Sequence, residues 1–151
     1  MLKNKIPPPI IALVFGLLIW AMNLFVPIHI LPLGNVAYVG YVLILFGLFL
    51  DILSYINFVK NKTTVNPIKP QNASTLVISG FYRFSRNPMY LGMFNILLGV
   101  VLLLGDISGL LMLPLLVLTM NTLQIIPEEK VLEGIFGDDY LKYKNRVRRW
   151  I

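Results

Sequence analysis

The chain contains no cysteine and only one histidine, His29, among its 151 residues. Without cysteine it can form neither a disulfide framework nor a thiolate nucleophile. Protein zinc sites are built mainly from cysteine and histidine, so we expect no metal site. These absences exclude disulfide-stabilised domains, cysteine-dependent enzymes and zinc-finger proteins.

Charge is also scarce, since 13% of the residues are charged and 57% are hydrophobic. This composition is typical of proteins whose solvent is the bilayer. The remaining charge is mostly positive, with a formal net charge of +6. Because the basic residues flank hydrophobic stretches, we predict that they contact membrane lipids, and we expect no nucleic-acid partner.

Four hydrophobic stretches have about the length that a helix needs to cross a bilayer, roughly 20 residues. They are residues 9–25, 36–58, 89–104 and 110–126. The last two are separated by a short polar break and are expected to form a helical hairpin. The tail, residues 127–151, has charged residues at helical spacing, which favours an interfacial helix. The sequence predicts one all-α domain over residues 1–151, a polytopic membrane helix bundle of about four transmembrane helices plus a C-terminal interfacial helix.

The basic residues all fall on one side of this arrangement. Lysine and arginine in short loops are retained on the cytoplasmic side of a membrane. The basic positions are Lys3, Lys5, Lys60, Lys62, Lys69, Arg83, Arg86 and those of the tail, while the two opposite loops have neither Lys nor Arg. We therefore predict that both termini, the loop 60–87 and the tail lie in the cytoplasm.

Two polar segments reach this same side, at the two ends of the predicted hairpin. An antiparallel hairpin returns to its starting level, so Arg83, Arg86 and Asn87 are expected near Glu128 and Glu129. Fixed cations beside paired carboxylates suit a zwitterionic, nucleotide-like ligand, because each charge of the ligand finds an opposite charge.

Simpler interpretations compete with a binding site. Arginine beside aromatic residues at a helix end is an ordinary lipid anchor, and the same holds for Arg148, Arg149 and Trp150. Pro127 followed by two glutamates is typical of a helix start, where carboxylates oppose the helix dipole.

Two motifs in the C-terminal part of the chain carry a family resemblance. The first is GFYRFSRNPMYLG at residues 80–92, with TVNP at 64–67 before it. The second consists of Pro127-Glu128-Glu129, Leu132, Phe136-Gly137, Tyr140, Tyr143 and residues 147–150. Together they resemble the signature of the isoprenylcysteine carboxyl methyltransferase family, which belongs with the membrane phospholipid methyltransferases. The bacterial branch is the closer likeness, and it implies an inner (plasma) membrane enzyme.

This resemblance implies S-adenosylmethionine as the cofactor and assigns site residues by motif position. The cofactor site would be lined by Arg83, Arg86, Asn87, Pro88, Tyr90, Leu91, Glu128 and Glu129, with Arg86 and Glu129 as the catalytic pair and Tyr140 in support. Apart from the resemblance, we predict substrate contacts from Asp51, Tyr82 and Arg146. Asp51 is chosen because acidic residues inside a span are often functional, although helix pairing or snorkelling would also explain it. Many family members have histidine where this chain has Asn87, and asparagine cannot titrate near neutral pH. A mechanism that needs a histidine base at this position is therefore not expected here.

The sequence alone leaves the activity open among three classes. The first is methyl transfer to a small lipophilic or membrane-embedded acceptor, a carboxylate or an amine. The second is an NADPH-dependent membrane reductase of the sterol-reductase type, which would place a different nucleotide beside the same hairpin. The third is a non-enzymatic membrane scaffold that uses its arginines for lipid and its glutamates for helix capping.

Overall fold

The structure is a computed structural model that describes residues 6–29, 33–61 and 74–151. Five α-helices form its framework: α1 (Pro8–Phe25), α2 (Leu33–Lys60), α3 (Pro88–Leu104), α4 (Met112–Met120) and α5 (Ile126–Arg146). Short 3₁₀ helices at Gly80–Arg83 and Ile107–Leu111 precede α3 and α4, and a π turn at Asn121–Ile125 joins α4 to α5. Within the described ranges the only β-type pairing is one bridge between His29 and Asp106.

The predicted all-α membrane bundle is confirmed. Three helical stretches are long and apolar enough to cross a membrane, namely Pro8–Phe25, Gly34–Lys60 and Ile107–Arg146. The fourth, α3, is apolar but has only 17 residues. Of the sequence-based predictions, those for Lys3, Lys5, Lys62, Lys69 and residues 64–67 lie outside the described residues.

The fourth span passes into the tail without a new helix start at Pro127, contrary to the prediction, and the tail helix is instead kinked at Gly137, where φ is 49° and ψ is −125°. The backbone of Asn121, Ile125 and Ile126 is right-handed helical throughout. Proline removes one backbone donor and crowds the carbonyl four residues earlier, and the wider π turn just before Pro127 makes room for it. Glu128 and Glu129 therefore lie inside a helix, and the prediction that they cap a helix start is wrong.

Glycines set the closest approach of helices in the bundle, where α2 crosses α3. A Cβ on Gly47 would lie 2.5 Å from the carbonyl oxygen of Gly92, and one on Gly99 would lie 2.6 Å from that of Gly40. Small residues at such crossings let backbones pack directly, which is the usual way that helices associate in lipid. The main partner of α3 is thus α2, and not the α4 of the predicted hairpin.

The apolar core lies between α1, α3 and α4. Ile11, Phe15 and Ile19 follow one face of α1 at helical spacing, and they join a buried cluster with Leu97 of α3 and Leu116 of α4. Much of the remaining apolar surface faces outward, including Tyr41 and Leu45 on α2. An apolar exterior of this kind is stable only in a lipid environment.

Polar contacts close the two ends of the bundle. At one end, which we call the turn end (Asn23, Ile28, Asp106 and Ser108), Gly105 adopts φ 65° and terminates α3. At the other, which we call the terminal end (Ile6, Asn121, Gln124 and Trp150), the Gln124 Nε2 donates to the Ile6 carbonyl at 2.7 Å and the Trp150 Nε1 to Asn121 Oδ1 at 3.1 Å. The first and last described residues thus lie at the same end, as an even number of spans requires.

Asp106 organises the turn end. Its carboxylate accepts hydrogen bonds from the backbone N–H groups of Ser108 at 2.8 Å and Ile28 at 3.0 Å, and from the Asn23 side chain at 3.2 Å. Desolvation disfavours the charged form, but these donors outweigh it and lower the pKa of Asp106 to about 2. The carboxylate thereby ties the end of α1 to the turn between α3 and α4.

Candidate functional site

A buried charge cluster at the terminal end joins the two sequence motifs. Arg86 donates from Nη2 to Glu129 Oε1 at 2.7 Å, and both side chains are 8% exposed. Arg149 donates from Nε to Glu129 Oε1 at 3.0 Å and from Nη2 to Oε2 at 2.7 Å. The hydrogen bonds that Arg149 donates to Glu129 raise the pKa of the Arg149 guanidinium above its usual value. The Glu129 carboxylate thus bridges two arginines. A buried charge is stable only when it is paired and hydrogen-bonded, and this arrangement meets that need.

Arg86 also fixes the segment that follows α5. Its Nη1 donates to the carbonyls of Lys144 at 2.8 Å and Val147 at 3.0 Å, and its backbone N–H donates to the Arg148 carbonyl at 3.0 Å. Asn87, at the residue preceding α3, donates from Nδ2 to the Arg149 carbonyl at 3.0 Å. The first motif therefore holds the last residues of the chain against the start of α3.

Tyr90 and Glu128 form a second pair beside this cluster. The Tyr90 hydroxyl donates to Glu128 Oε1 at 2.7 Å. Pro88 is buried at the first turn of α3, and the Leu91 N–H donates to the Asn87 carbonyl at 3.0 Å to begin the helical hydrogen bonding. Pro88 and Leu91 thus set the direction of α3, which presents Tyr90 to Glu128.

Asp51 and Ser54 of α2 extend the polar region toward the bundle interior. A Cβ on Gly92 would overlap the Asp51 carboxylate, so the glycine provides the space that this side chain occupies. The Asp51 Oδ1 and Ser54 Oγ atoms are buried and form no hydrogen bond of standard geometry within the described residues, and the Ser54 side chain lies close to the Tyr82 phenol. Buried polar groups are nearly always paired, and each exception needs an explanation.

Tyr82 lies beside the two carboxylates in this region. It is 7% exposed, and its backbone carbonyl accepts a hydrogen bond of 2.7 Å from the Tyr143 hydroxyl. Burial, followed by the neighbouring Tyr143, Glu128 and Asp51, raises the pKa of the Tyr82 phenol well above 10. The phenol is therefore a neutral donor and acceptor, which can hydrogen-bond a ligand but cannot serve as a base.

The structure brings most of the predicted site residues together and separates two of them. Arg86, Glu128 and Glu129 meet as expected, and Tyr140 is buried with its ring 6.2 Å from that of Tyr143. Arg83 instead lines a groove beside α2, and Arg146 is exposed at the end of α5. Neither of these two arginines forms an ion pair with an acidic residue of the described chain.

Sequence reasoning missed three residues in and beside the site, namely Arg149, Trp150 and Ser54. Arg149 was interpreted as a lipid anchor, yet its guanidinium binds Glu129, and Trp150 likewise donates to Asn121 rather than only facing lipid. Ser54 carried no signal, because a serine in an apolar helix is common. The motif at residues 147–150 was the available indication for Arg149.

Comparison with known proteins places these motifs in a family. The family model described as phospholipid methyltransferase matches residues 36–139, more than half of the chain. No solved structure matches it. The match includes α2, so the family resemblance extends further toward the N-terminus than the two motifs indicated.

Similarity to curated proteins supports the same family. An uncharacterised protein of Haemophilus influenzae is 44% identical over 63 residues, which cover 42% of this chain and all of that protein. The protein-S-isoprenylcysteine O-methyltransferases of Schizosaccharomyces pombe and Xenopus laevis are 36% identical over 72 residues and 30% identical over 109. These alignments cover 48% and 72% of this chain but 30% and 38% of the two enzymes. The chain is a multi-pass membrane protein that belongs to the phospholipid methyltransferase family.

Proposed function

We propose that this chain is an S-adenosylmethionine-dependent methyltransferase that modifies a small lipophilic or membrane-embedded acceptor at a carboxylate or an amine. The observation that carries the proposal is a polar region with unused hydrogen-bonding capacity in a member of a methyltransferase family. Its buried atoms without a hydrogen-bond partner, among the described residues, include Arg86 Nε, Asp51 Oδ1 and Ser54 Oγ. Membership of this family supports methyl transfer over the reductase and scaffold alternatives.

The residues present fit the charges of S-adenosylmethionine. Arg86 Nε is a buried donor available to a carboxylate, and Tyr90 uses only one oxygen of Glu128, which leaves the other for an ammonium or a ribose hydroxyl. The aromatic faces of Tyr82 and Tyr90 favour a nearby cation. In this proposal Asn87, Pro88, Leu91 and Arg83 belong to the surrounding wall, with Arg83 at its outer edge.

Bound S-adenosylmethionine would supply a methyl group on a sulfonium, and its displacement depends more on alignment than on acid catalysis. Proximity and orientation can contribute about 7–11 kcal/mol to such a step. The chain contributes a rigid wall, since Glu129 fixes Arg86 and Arg149 in place. The catalytic assignment of Arg86 and Glu129 stays a prediction, because in this structure the two side chains form an ion pair with each other.

The acceptor side of the site is assigned to α2 and its neighbours. Asp51 Oδ1 can accept a hydrogen bond or a proton from an amine, whereas a carboxylate acceptor needs no base. Tyr82 would orient the acceptor through its neutral phenol, and Arg146 would contribute at most from the surface.

We also propose that the protein resides in the inner (plasma) membrane with its termini and cofactor site in the cytoplasm. The support is the one-sided distribution of Lys and Arg along the sequence. Both described termini lie at the end of the bundle that contains the charge cluster. A cofactor would then enter from the cytoplasm, and a lipophilic acceptor would enter from the bilayer.

Calorimetry of the detergent-purified chain with S-adenosylhomocysteine tests the cofactor assignment. Glu128→Gln keeps the size of the side chain and removes its ability to carry a negative charge. At a pH where Glu128 is ionised, affinity should therefore fall about tenfold or more, the usual worth of a charged hydrogen bond. Asp106→Asn is the matched control, because it makes the same change at the turn end and should leave affinity unaltered. Equal affinity for wild type and Glu128→Gln, or binding of NADPH instead, would refute the proposed site.

The acceptor needs a separate experiment. Membranes containing the protein are incubated with a methyl-labelled donor, and the labelled lipid fraction is hydrolysed with mild base. A base-labile label indicates a methyl ester, and a stable label indicates a methylated amine. Absence of any label that depends on the protein would contradict methyl transfer itself.

A further inference from the structure

A groove lies beside the charge cluster, between the end of α2 and the 3₁₀ helix Gly80–Arg83. Its volume is about 470 Å³, within the range of roughly 300–1,000 Å³ that is usual for small-molecule sites. It is lined by Leu53, Ile56, Asn57, Lys60, Gly80, Phe81, Arg83 and Phe84. None of these residues takes part in the buried cluster around Glu129.

Hydrogen bonds and a ring contact hold the two sides of the groove together. Asn57 donates from Nδ2 to the Ser79 carbonyl at 2.8 Å, and the Ser79 hydroxyl donates to Asn57 Oδ1 at 3.1 Å. The rings of Phe49 and Phe81 meet edge to face with centroids 5.9 Å apart. The groove therefore has a defined width that does not depend on a bound ligand.

The charge in the groove is positive and has no counter-charge from the protein. Lys60 and Arg83 are both exposed, and all seven acidic residues of the chain lie in its described part. None of these acids forms an ion pair with Lys60 or Arg83. Arg86, three residues from Arg83, is by contrast bound through both of its Nη atoms to Glu129 and to backbone carbonyls.

The apolar part of the groove continues onto the outer face of α2. Leu53 and Ile56 line it, and Phe84 at its rim is 74% exposed. Further along the same helix Phe49 and Ile52 are 50% and 57% exposed. Lys60 is the last residue of this apolar helix, and a helix of this kind ends where the bilayer headgroups begin. The groove thus has cations at headgroup level and apolar side chains on the hydrocarbon side.

We propose that this groove is a binding site for an anionic phospholipid, with the lipid phosphate between Lys60 and Arg83 and an acyl chain along Leu53 and Ile56. A zwitterionic lipid fits less well, because no carboxylate lines the groove to receive its ammonium group. The site adjoins the proposed cofactor site at Arg83, and the lipid-binding proposal holds whether or not the chain transfers methyl groups.

Titration of the detergent-purified chain with short-chain phosphatidylglycerol tests this site, with short-chain phosphatidylcholine and inorganic phosphate as comparison ligands. Basic residues near a membrane contribute about 1 kcal/mol each to binding of anionic lipid, so Lys60→Gln and Arg83→Gln should each weaken phosphatidylglycerol binding about fivefold. Phosphatidylcholine should bind more weakly and respond little to either substitution.

Lys142→Gln is the matched control, because Lys142 is an exposed lysine that pairs with Asp139 away from the groove. It should leave phosphatidylglycerol affinity unchanged, and circular dichroism of each variant should match the wild type. Equal affinity for the two lipids, or an equal loss in the control, would overturn the proposal. Inorganic phosphate binding as tightly as phosphatidylglycerol would also overturn it, since the site would then be one for free phosphate.

Discussion

At the turn end of the bundle, Asp106 receives hydrogen bonds from three donors, whereas at the terminal end Asp51 keeps a buried oxygen without any. Five buried side-chain atoms lack a partner within the described residues. Four belong to the terminal end, on Asp51, Ser54, Arg86 and Gln124, and only the Ser108 hydroxyl belongs to the turn end. The polar groups of the turn end stabilise a connection, while those of the terminal end retain unused hydrogen-bonding capacity.

The largest loss of stability is expected from Glu129→Ala. This substitution tests whether polar groups at the terminal end also stabilise the fold. The change leaves Arg86 buried without its counter-charge. Removing one partner of a buried pair costs about 3–5 kcal/mol, and the partial exposure of Arg149 favours the lower end of that range. Thermal unfolding in detergent should show a midpoint lower by about 6–12 °C.

The control for this substitution is Asp139→Ala, which removes an exposed pair with Lys142. Exposed pairs contribute about 0–1 kcal/mol, so the midpoint should move little. If the two variants lose the same stability, the buried cluster does not hold the terminal segment in place.

A moderate effect is expected from Gly92→Ala, which tests how Asp51 is placed at the terminal end. The added methyl group would overlap the Asp51 carboxylate and lie 2.8 Å from the Gly47 carbonyl oxygen. Overpacking of this kind costs about 1–3 kcal/mol, and thermal unfolding in detergent measures it.

Gly134→Ala is the matched control, because nothing lies within 4 Å of the added Cβ. Alanine is the better helix former by roughly 0.5–1 kcal/mol, so this variant should be slightly more stable than wild type. A loss of stability in both variants would show that the crossing of α2 and α3 is not the cause.

The smallest change in stability is expected from Ser54→Ala. This substitution is also the most direct test of the difference between the two ends of the bundle. The Ser54 hydroxyl is buried without a partner, so its removal should change the free energy of unfolding by less than about 0.5 kcal/mol. Asn23→Ala at the turn end removes a hydrogen bond to Asp106 and should cost about 1 kcal/mol. Equal losses from the two substitutions would remove the distinction between the two ends.

The sequence predicted the helices well because hydrophobic length is a local property. The observed start of α1 at Pro8 and end of α3 at Leu104 lie within one residue of the prediction. The break at Gly105 and Asp106 was also visible, since glycine favours the left-handed backbone found there. The proximity of Arg86 to Glu129 was predicted from the motifs, because they lie at the two ends of the expected antiparallel hairpin.

Other features depend on three-dimensional packing that a single sequence does not display. Glycines at 40, 47, 92 and 99 are unremarkable in apolar helices until two of the helices are seen to cross. The continuity of α4 and α5 was missed because proline usually ends a helix, and a single π turn is not visible in a pattern of residue types. Arg149 was missed because an exposed-looking basic end resembles a lipid anchor.

The hydrogen bond between Trp150 and Asn121 gives the protein an intrinsic fluorescent reporter. The chain has two tryptophans, and the other, Trp20, lies on α1 and is 55% exposed. In a Trp20→Phe background, all indole emission would come from the residue next to Arg149, whose guanidinium binds Glu129. Its emission wavelength would then report the exposure of the charge cluster to solvent directly, without an added label.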